Sequence, residues 1–191
     1  METAKRLLLV RRLAVIVVVM TFALMVLGSW VKATGSGLSC PDWPKCYGEW
    51  LPPFPSVENN GTYEGEPVYY SQAQILYEWS HRLVASILGV PFIALAVVAF
   101  RGKEFNGALR KLPLVAAGVL FLQVNLGGIT VLGKNAAALT TMHLGMATVF
   151  FFLVSMIMAI ALLRPFPDDR HIVEVRKEPG VVETVYPGEK Q

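Results

Sequence analysis

Three side chains able to do chemistry, Glu78, His81 and Arg82, stand together in Tyr77-Glu-Trp-Ser-His-Arg-Leu83, where a long apolar segment begins. A second histidine, His143, occupies a similar place in another apolar segment. The chain has only three histidines, and an ionisable ring placed within a bilayer is costly unless it binds something. Neutral imidazoles on facing helices are a common way to hold a metal or a haem iron. Zinc would want three or four protein ligands close together, and no further His or Cys lies in either segment. Haem needs two axial ligands and an apolar slot. The pair therefore reads as His81 and His143 on a haem iron. The plainer alternative is that each ring hydrogen-bonds a neighbouring helix.

Glu78 precedes His81 by three residues, so both face one side of a helix. Glu78 and Arg82 are four apart and can simply pair with each other. Arg82 can equally meet a haem propionate, because guanidinium and carboxylate match bidentately.

These residues need helices to carry them, and the composition supplies those. Of 191 residues, 54% are hydrophobic and 16% charged, against about a quarter charged in an ordinary soluble domain. Apolar stretches predict helices at about 12–31, 74–100, 112–132 and 136–163. Each is near the roughly 20 residues needed to cross a bilayer. The expected fold is an all-α membrane protein, a four-transmembrane-helix antiparallel bundle with one structured external loop. It occupies residues 1–163, followed by a charged cytoplasmic tail over 164–191. Reading the first stretch as a cleaved signal is disfavoured, since it exceeds the usual apolar core and lacks a clear small-x-small site. With helix starts at Gln74 and Ala136, His81 and His143 each lie seven residues in. Both rings are then about 10 Å deep at 1.5 Å per residue.

Lys and Arg set the orientation. Lys5, Arg6, Arg11 and Arg12 precede the first helix, and Arg101, Lys103, Arg110 and Lys111 separate the second from the third. The opposite side has Lys32, Lys45 and Lys134. Both termini are expected in the cytoplasm, with the bundle in the plasma membrane. The net charge of +3 is a topology signal and suggests no nucleic-acid partner. The external loop, 32–73, is rich in Pro, Gly and aromatics and is expected to fold back over the bundle. For its second half, Ser56–Pro67, a floppy connector is an equal expectation. The tail shows no long apolar period and is expected to be loosely structured.

Cys40 and Cys46, the only cysteines, both fall in this loop. An even count on the oxidising side of a membrane reads as a disulfide. A redox-exchanging pair, or free thiols, stay open alongside it. Helix three adds Gln123, Asn125, Gly127, Gly128 and Thr130. Its glycines suit a flat ligand, or ordinary close helix packing.

Five runs in order resemble the heme A synthase family. They are Thr34-Gly-Ser-Gly-Leu38, the Cys40–Cys46 run, Glu78-Trp-Ser-His-Arg82, Asn125-Leu-Gly-Gly-Ile-Thr-Val131 and Thr141-Met-His-Leu144. The resemblance implies an oxidoreductase that turns a methyl group of heme O into a formyl group, giving heme A for terminal oxidases. It implies His81 and His143 as axial ligands, Glu78 as the catalytic carboxylate and Cys40–Cys46 as the external cysteine pair. Heme b is the implied cofactor and heme O the substrate, with heme O synthase a partner that would hand it over and an electron donor also required. Family members have two four-helix halves, one for substrate and one for heme b. This chain matches one half, which implies a homodimer. The alternatives are a b-type cytochrome or haem-binding subunit without enzymatic activity, which has no need of Glu78, and a thiol oxidoreductase, which would want a second cysteine pair.

Overall fold

The computed structural model describes residues 2–165 apart from Glu104 and Asn106, together with 173–178 and 181–185. Four long helices dominate: α1 (Glu2–Ala33), α2 (Gln72–Arg101), α3 (Ala108–Leu132) and α4 (Ala137–Leu163). All four are long and apolar enough to span a membrane. Each packs on two neighbours, α1 on α2 and α4, α3 on α4 and α2. The chain is thus the expected up-down-up-down membrane bundle, and it is a multi-pass membrane protein.

Three helix starts lie ahead of the sequence expectation: α3 begins at Ala108 rather than near residue 112, and for the other two a physical reason is visible. Helix α1 begins at Glu2 rather than near residue 12, because Leu7, Val10, Ala14 and Val17 form one buried stripe at helical spacing. Its arginines also reach the ends of other helices. Arg6 Nη1 donates to Arg101 O at 3.2 Å, and Arg11 donates to Ala161 O at 2.9 Å and to the carbonyls of Leu162 and Arg164. Basic groups thereby satisfy orphan carbonyls at the C-termini of α2 and α4, which the helix dipole also favours. Helix α2 starts at Gln72 because Ser71 and Gln74 form a reciprocal capping box, a Ser-x-x-Gln signal legible in the sequence.

The apolar core is confined to one half of the bundle, the half nearer the chain termini. It comprises Leu7 to Val17 of α1, Leu88, Phe92 and Leu95 of α2, Leu109 and Ala116 of α3, and Phe150, Val154, Ile157 and Ala161 of α4. Phe92 and Phe150 meet edge-on at 5.3 Å. Lipid is as apolar as these side chains, so their cohesion comes from close packing rather than from escape out of water. Toward the loop end this interior gives way to polar side chains and glycines.

The loop between α1 and α2 is ordered throughout. It holds a 3-10 turn at Val57–Asn59 and a short hairpin, β1 (Thr62–Tyr63) with β2 (Glu66–Pro67), so its second half is structured and not a floppy connector. Its own small core gathers Cys40, Cys46, Tyr47, Val68 and Ile75, with Phe54, Tyr63, Tyr70 and Trp79 around them. In the tail, β3 (Val173–Glu178) pairs antiparallel with β4 (Val181–Val185), where a loosely structured segment was expected. Its β-branched Val-rich runs favour strands even without a long apolar period. The rest of the tail lies outside the described residues.

Candidate functional site

The site is built where the apolar core stops. His81 of α2 lies against α1 at Gly28, where a methyl group would come within 2.9 Å of its Cε1. His143 of α4 lies against α3 at Gly127, where a methyl would come within 3.1 Å of Cε1. Each imidazole thus occupies a notch that only glycine leaves. Among the described residues, buried Nδ1 of both finds no hydrogen-bond partner, which is expensive unless a ligand completes the site. His143 Nε2 is 3.4 Å from Gln123 Nε2.

Glu78 is 5% exposed and pairs with Arg82 across 2.9 Å. Arg82 does more than balance that charge. Its Nη1 donates to Asp42 O at 2.6 Å and Lys45 O at 2.7 Å, and its Nη2 to Cys40 O at 3.1 Å. Four of the five guanidinium N–H groups are thereby committed, three of them to the Cys40–Cys46 run. That run is closed by a disulfide between Cys40 and Cys46, their Cα atoms 4.7 Å apart. Both cysteines are sealed off, at 0% and 1% exposure. Exchange with an outside thiol therefore requires the loop to open.

The loop reaches down to the site through Trp43, whose ring lies where a methyl on Gly128 would be only 2.8 Å from Cδ2. Consecutive glycines of α3 thus receive His143 and Trp43. The Asp42 carboxylate braces the turn by accepting from Tyr47 N at 2.7 Å and Gly48 N at 2.9 Å. Trp79 Nε1 donates to Trp50 O at 2.8 Å. At the loop's start, a methyl on Gly37 would meet Asn135 Nδ2 at 2.6 Å, so the loop also packs on the α3–α4 turn.

One consequence is measurable outside the bilayer. Burial, with Tyr70 and the Asp42 carboxylate nearby, pushes the Tyr47 phenol from 10.0 up to about 12. Its folded value lies above its unfolded one. Its contribution to loop stability is therefore complete below pH 10 and disappears as pH rises toward 12. An absorbance titration of tyrosinate should show a latest step, beyond that of Tyr63, which burial also raises, and this latest step should be absent from Tyr47→Phe. Six tyrosines ionising together near pH 10 would refute the burial.

Of the residues singled out from sequence, Glu78 and Arg82 are joined to each other and, through Arg82, to the disulfide loop, while His81 meets Gly28 and His143 meets Gly127 and Gln123. Asn125 does not join them, since its Nδ2 donates to Phe121 O of its own helix at 2.7 Å. Thr130 likewise bonds its own helix, at Leu126 O. Sequence reading missed Gly28 and the contact made by Trp43. Gly28, a glycine inside an apolar helix, is the kind of signal that marks close approach.

A membrane helix bundle with a histidine of α2 and one of α4 each set on a glycine notch, a carboxylate one turn from the first and a disulfide-closed loop over α2 defines a candidate site built between helices. The family model of the cytochrome oxidase assembly proteins, COX15-CtaA, matches residues 11–182. The chain belongs to that family. It is 29% identical over 128 residues to a heme A synthase of an Exiguobacterium species, covering 66% of this chain and 37% of that protein. It is 26% identical over 168 residues to the heme A synthase of Shouchella clausii, covering 87% and 50%. A protoheme IX farnesyltransferase of Halobacterium salinarum is 27% identical over 143 residues, covering 73% of this chain and 27% of that protein. The chain therefore spans half or less of the length of these relatives. No solved structure matches it.

Proposed function

We propose that the bundle binds haem between His81 and His143 and serves in oxidising a methyl group of heme O to the formyl group of heme A. The observation that carries this reading is the matched pair of imidazoles on Gly28 and Gly127, each with a buried, unpartnered Nδ1. Two nitrogen donors, notches shaped by glycine and no further metal-ligand cluster among the described residues fit an iron porphyrin better than a bare ion. Heme b would supply the one-electron chemistry of the oxidation. The names of the relatives, heme A synthase and protoheme IX farnesyltransferase, support heme O as substrate and a heme O synthase as the partner handing it over.

The chain's own residues divide the remaining work. Glu78 is held by Arg82 one turn from His81, where it can stabilise positive charge developing on the reacting carbon or accept its proton. Arg82 has one N–H left after its four hydrogen bonds, enough for a single bond to a propionate. The loop, pinned by Arg82, lies over the end of α2 with the Trp43 ring set against Gly128 of α3. One histidine pair holds one porphyrin, and the reaction needs both a cofactor and a substrate porphyrin. Two copies of the bundle as a homodimer satisfy that need. The Lys and Arg residues at the termini and between α2 and α3 support an orientation with that end in the cytoplasm, and we take the membrane to be the plasma membrane.

The structural use of the Glu78–Arg82 pair favours one other reading, a b-type haem protein without enzymatic activity. Expression in a host that makes heme O but not heme A, followed by chromatography and mass analysis of the extracted haems, separates the two. Hydroxylated or formylated haem is expected from the wild type, and haem loading without conversion from Glu78→Gln. Unmodified haem from a fully loaded wild type would favour the carrier. Conversion by Glu78→Gln at the normal rate would remove Glu78 from the chemistry.

A further inference from the structure

At the end of the bundle away from the histidines, α1 and α2 leave between them a cavity of about 360 Å³, in the size range of small-ligand sites. It is lined by Lys5, Arg6, Leu9, Val97, Val98 and Arg101. Because the two helices run antiparallel, these residues sort by depth. Lys5 and Arg6 lie about one turn outside Leu9 on α1, and Arg101 lies about one turn outside Val97 and Val98 on α2. One turn is about 5.4 Å. The cavity is thus cationic where the helices end and apolar one turn further into the bilayer. Lys5, Leu9, Val97 and Arg101 are exposed, while Val98 packs against the buried core.

That gradient matches one class of ligand. A soluble anion has no use for the apolar layer, and a lipid without net charge has little use for the basic one. An anionic phospholipid meets both, its phosphate among the cations and the first methylenes of its chains over Leu9 and Val97. Among the described residues, none that lines the cavity is acidic. The C-terminus of α2 would by itself repel an anion, but Arg6 Nη1 donates to the Arg101 carbonyl at 3.2 Å and covers its partial charge. The acceptor there is the backbone oxygen, so the Arg101 guanidinium is not used in that bond. Basic pockets between membrane helices suit anionic headgroups. We propose that this cavity binds one anionic phospholipid of the surrounding leaflet, with Lys5 and Arg101 holding its phosphate. The site does not depend on what His81 and His143 hold.

The test uses the purified full chain in detergent, with bound lipid counted by native mass spectrometry at matched additions of phosphatidylglycerol and phosphatidylcholine. Wild type should hold one phosphatidylglycerol roughly 5- to 25-fold more tightly than phosphatidylcholine, the worth of one to two basic side chains. Lys5→Gln combined with Arg101→Gln should bring that ratio to about one. Leu9→Trp, which fills the apolar layer with every charge in place, should weaken phosphatidylglycerol as well. Arg12→Gln combined with Lys111→Gln removes the same charge from the same end, outside the cavity, and should leave the ratio as in wild type. A wild-type ratio near one overturns the proposal without any variant. An equal fall in both double variants would mean diffuse attraction to the whole end of the bundle, and would overturn it too. Full displacement of the lipid by excess inorganic phosphate would replace it with a site for a soluble anion. Wild-type binding by Leu9→Trp would show that the apolar layer is not used, which also sinks it.

Discussion

Arg82→Leu is expected to release the external loop and to destabilise the protein by about 3–5 kcal/mol, the range for removing one partner of a buried ion pair. Both partners are well covered, with 14% of the Arg82 side chain and 7% of the Glu78 side chain exposed. The loss is compound. Glu78 is left with its charge uncompensated, and the carbonyls of Cys40, Asp42 and Lys45 lose their donor. The disulfide cannot replace that tether, because it closes the run upon itself and does not tie it to α2. Thermal unfolding in detergent and limited proteolysis between residues 40 and 60 should both report the release. Arg82→Lys should recover only part, since one ammonium cannot reproduce a planar fork with four bonds in use. The double variant Glu78→Gln, Arg82→Leu separates the two terms. If it recovers most of the stability, the buried charge dominates; if little, the carbonyl tether does. A single Arg82→Leu variant within about 0.5 kcal/mol of wild type would show that the pinned loop is not held by this residue.

That double use of Arg82 marks where sequence reading ended. The helices were legible because apolar runs of sufficient length leave few alternatives. The histidines stood out because imidazoles are rare and costly in such runs. Pairing of Glu78 with Arg82 followed from their i, i+4 spacing. The three loop carbonyls did not, because backbone acceptors carry no signature in side-chain identity and join α2 from about 40 residues away. The same holds for Trp43, whose aromatic character reads as an interfacial anchor until the fold sets it on Gly128. Confinement of the core to one half of the bundle was visible in no single helix, since apolar residues occur in both halves of all four. It emerges from which faces meet: the wide residues Phe92, Phe150 and Ile157 fill one half, and Gly28, Gly127 and Gly128 open the other.

This division predicts that the ligand site can be damaged while the bundle survives. Gly28→Ala places a methyl 2.9 Å from His81 Cε1, and Gly127→Ala places one 3.1 Å from His143 Cε1. Neither added atom fits without movement, and the neighbour that must move is the ring proposed to hold iron. Overpacking of this kind costs about 1–3 kcal/mol, which is roughly 5- to 150-fold in binding. Haem affinity should fall in both variants, further in Gly28→Ala, where the gap is shorter, and further still in Gly28→Val. The optical spectrum should shift from the low-spin form of two imidazole ligands toward a form with one. Unfolding temperature should change little, because the packed half from Leu7 to Val17 and from Phe150 to Ala161 lies at the other end of the bundle. Gly118→Ala is the internal control, since a methyl there meets nothing within 4 Å and the substitution favours the helix. Equal haem affinity in Gly28→Ala and Gly118→Ala would mean that His81 does not depend on its notch. A fall in affinity matched by a fall in unfolding temperature would mean that Gly28 serves helix packing as a whole. Loss of affinity in a bundle that still melts normally would tie the two glycines to the placement of the two rings, and through them to whatever iron the rings hold.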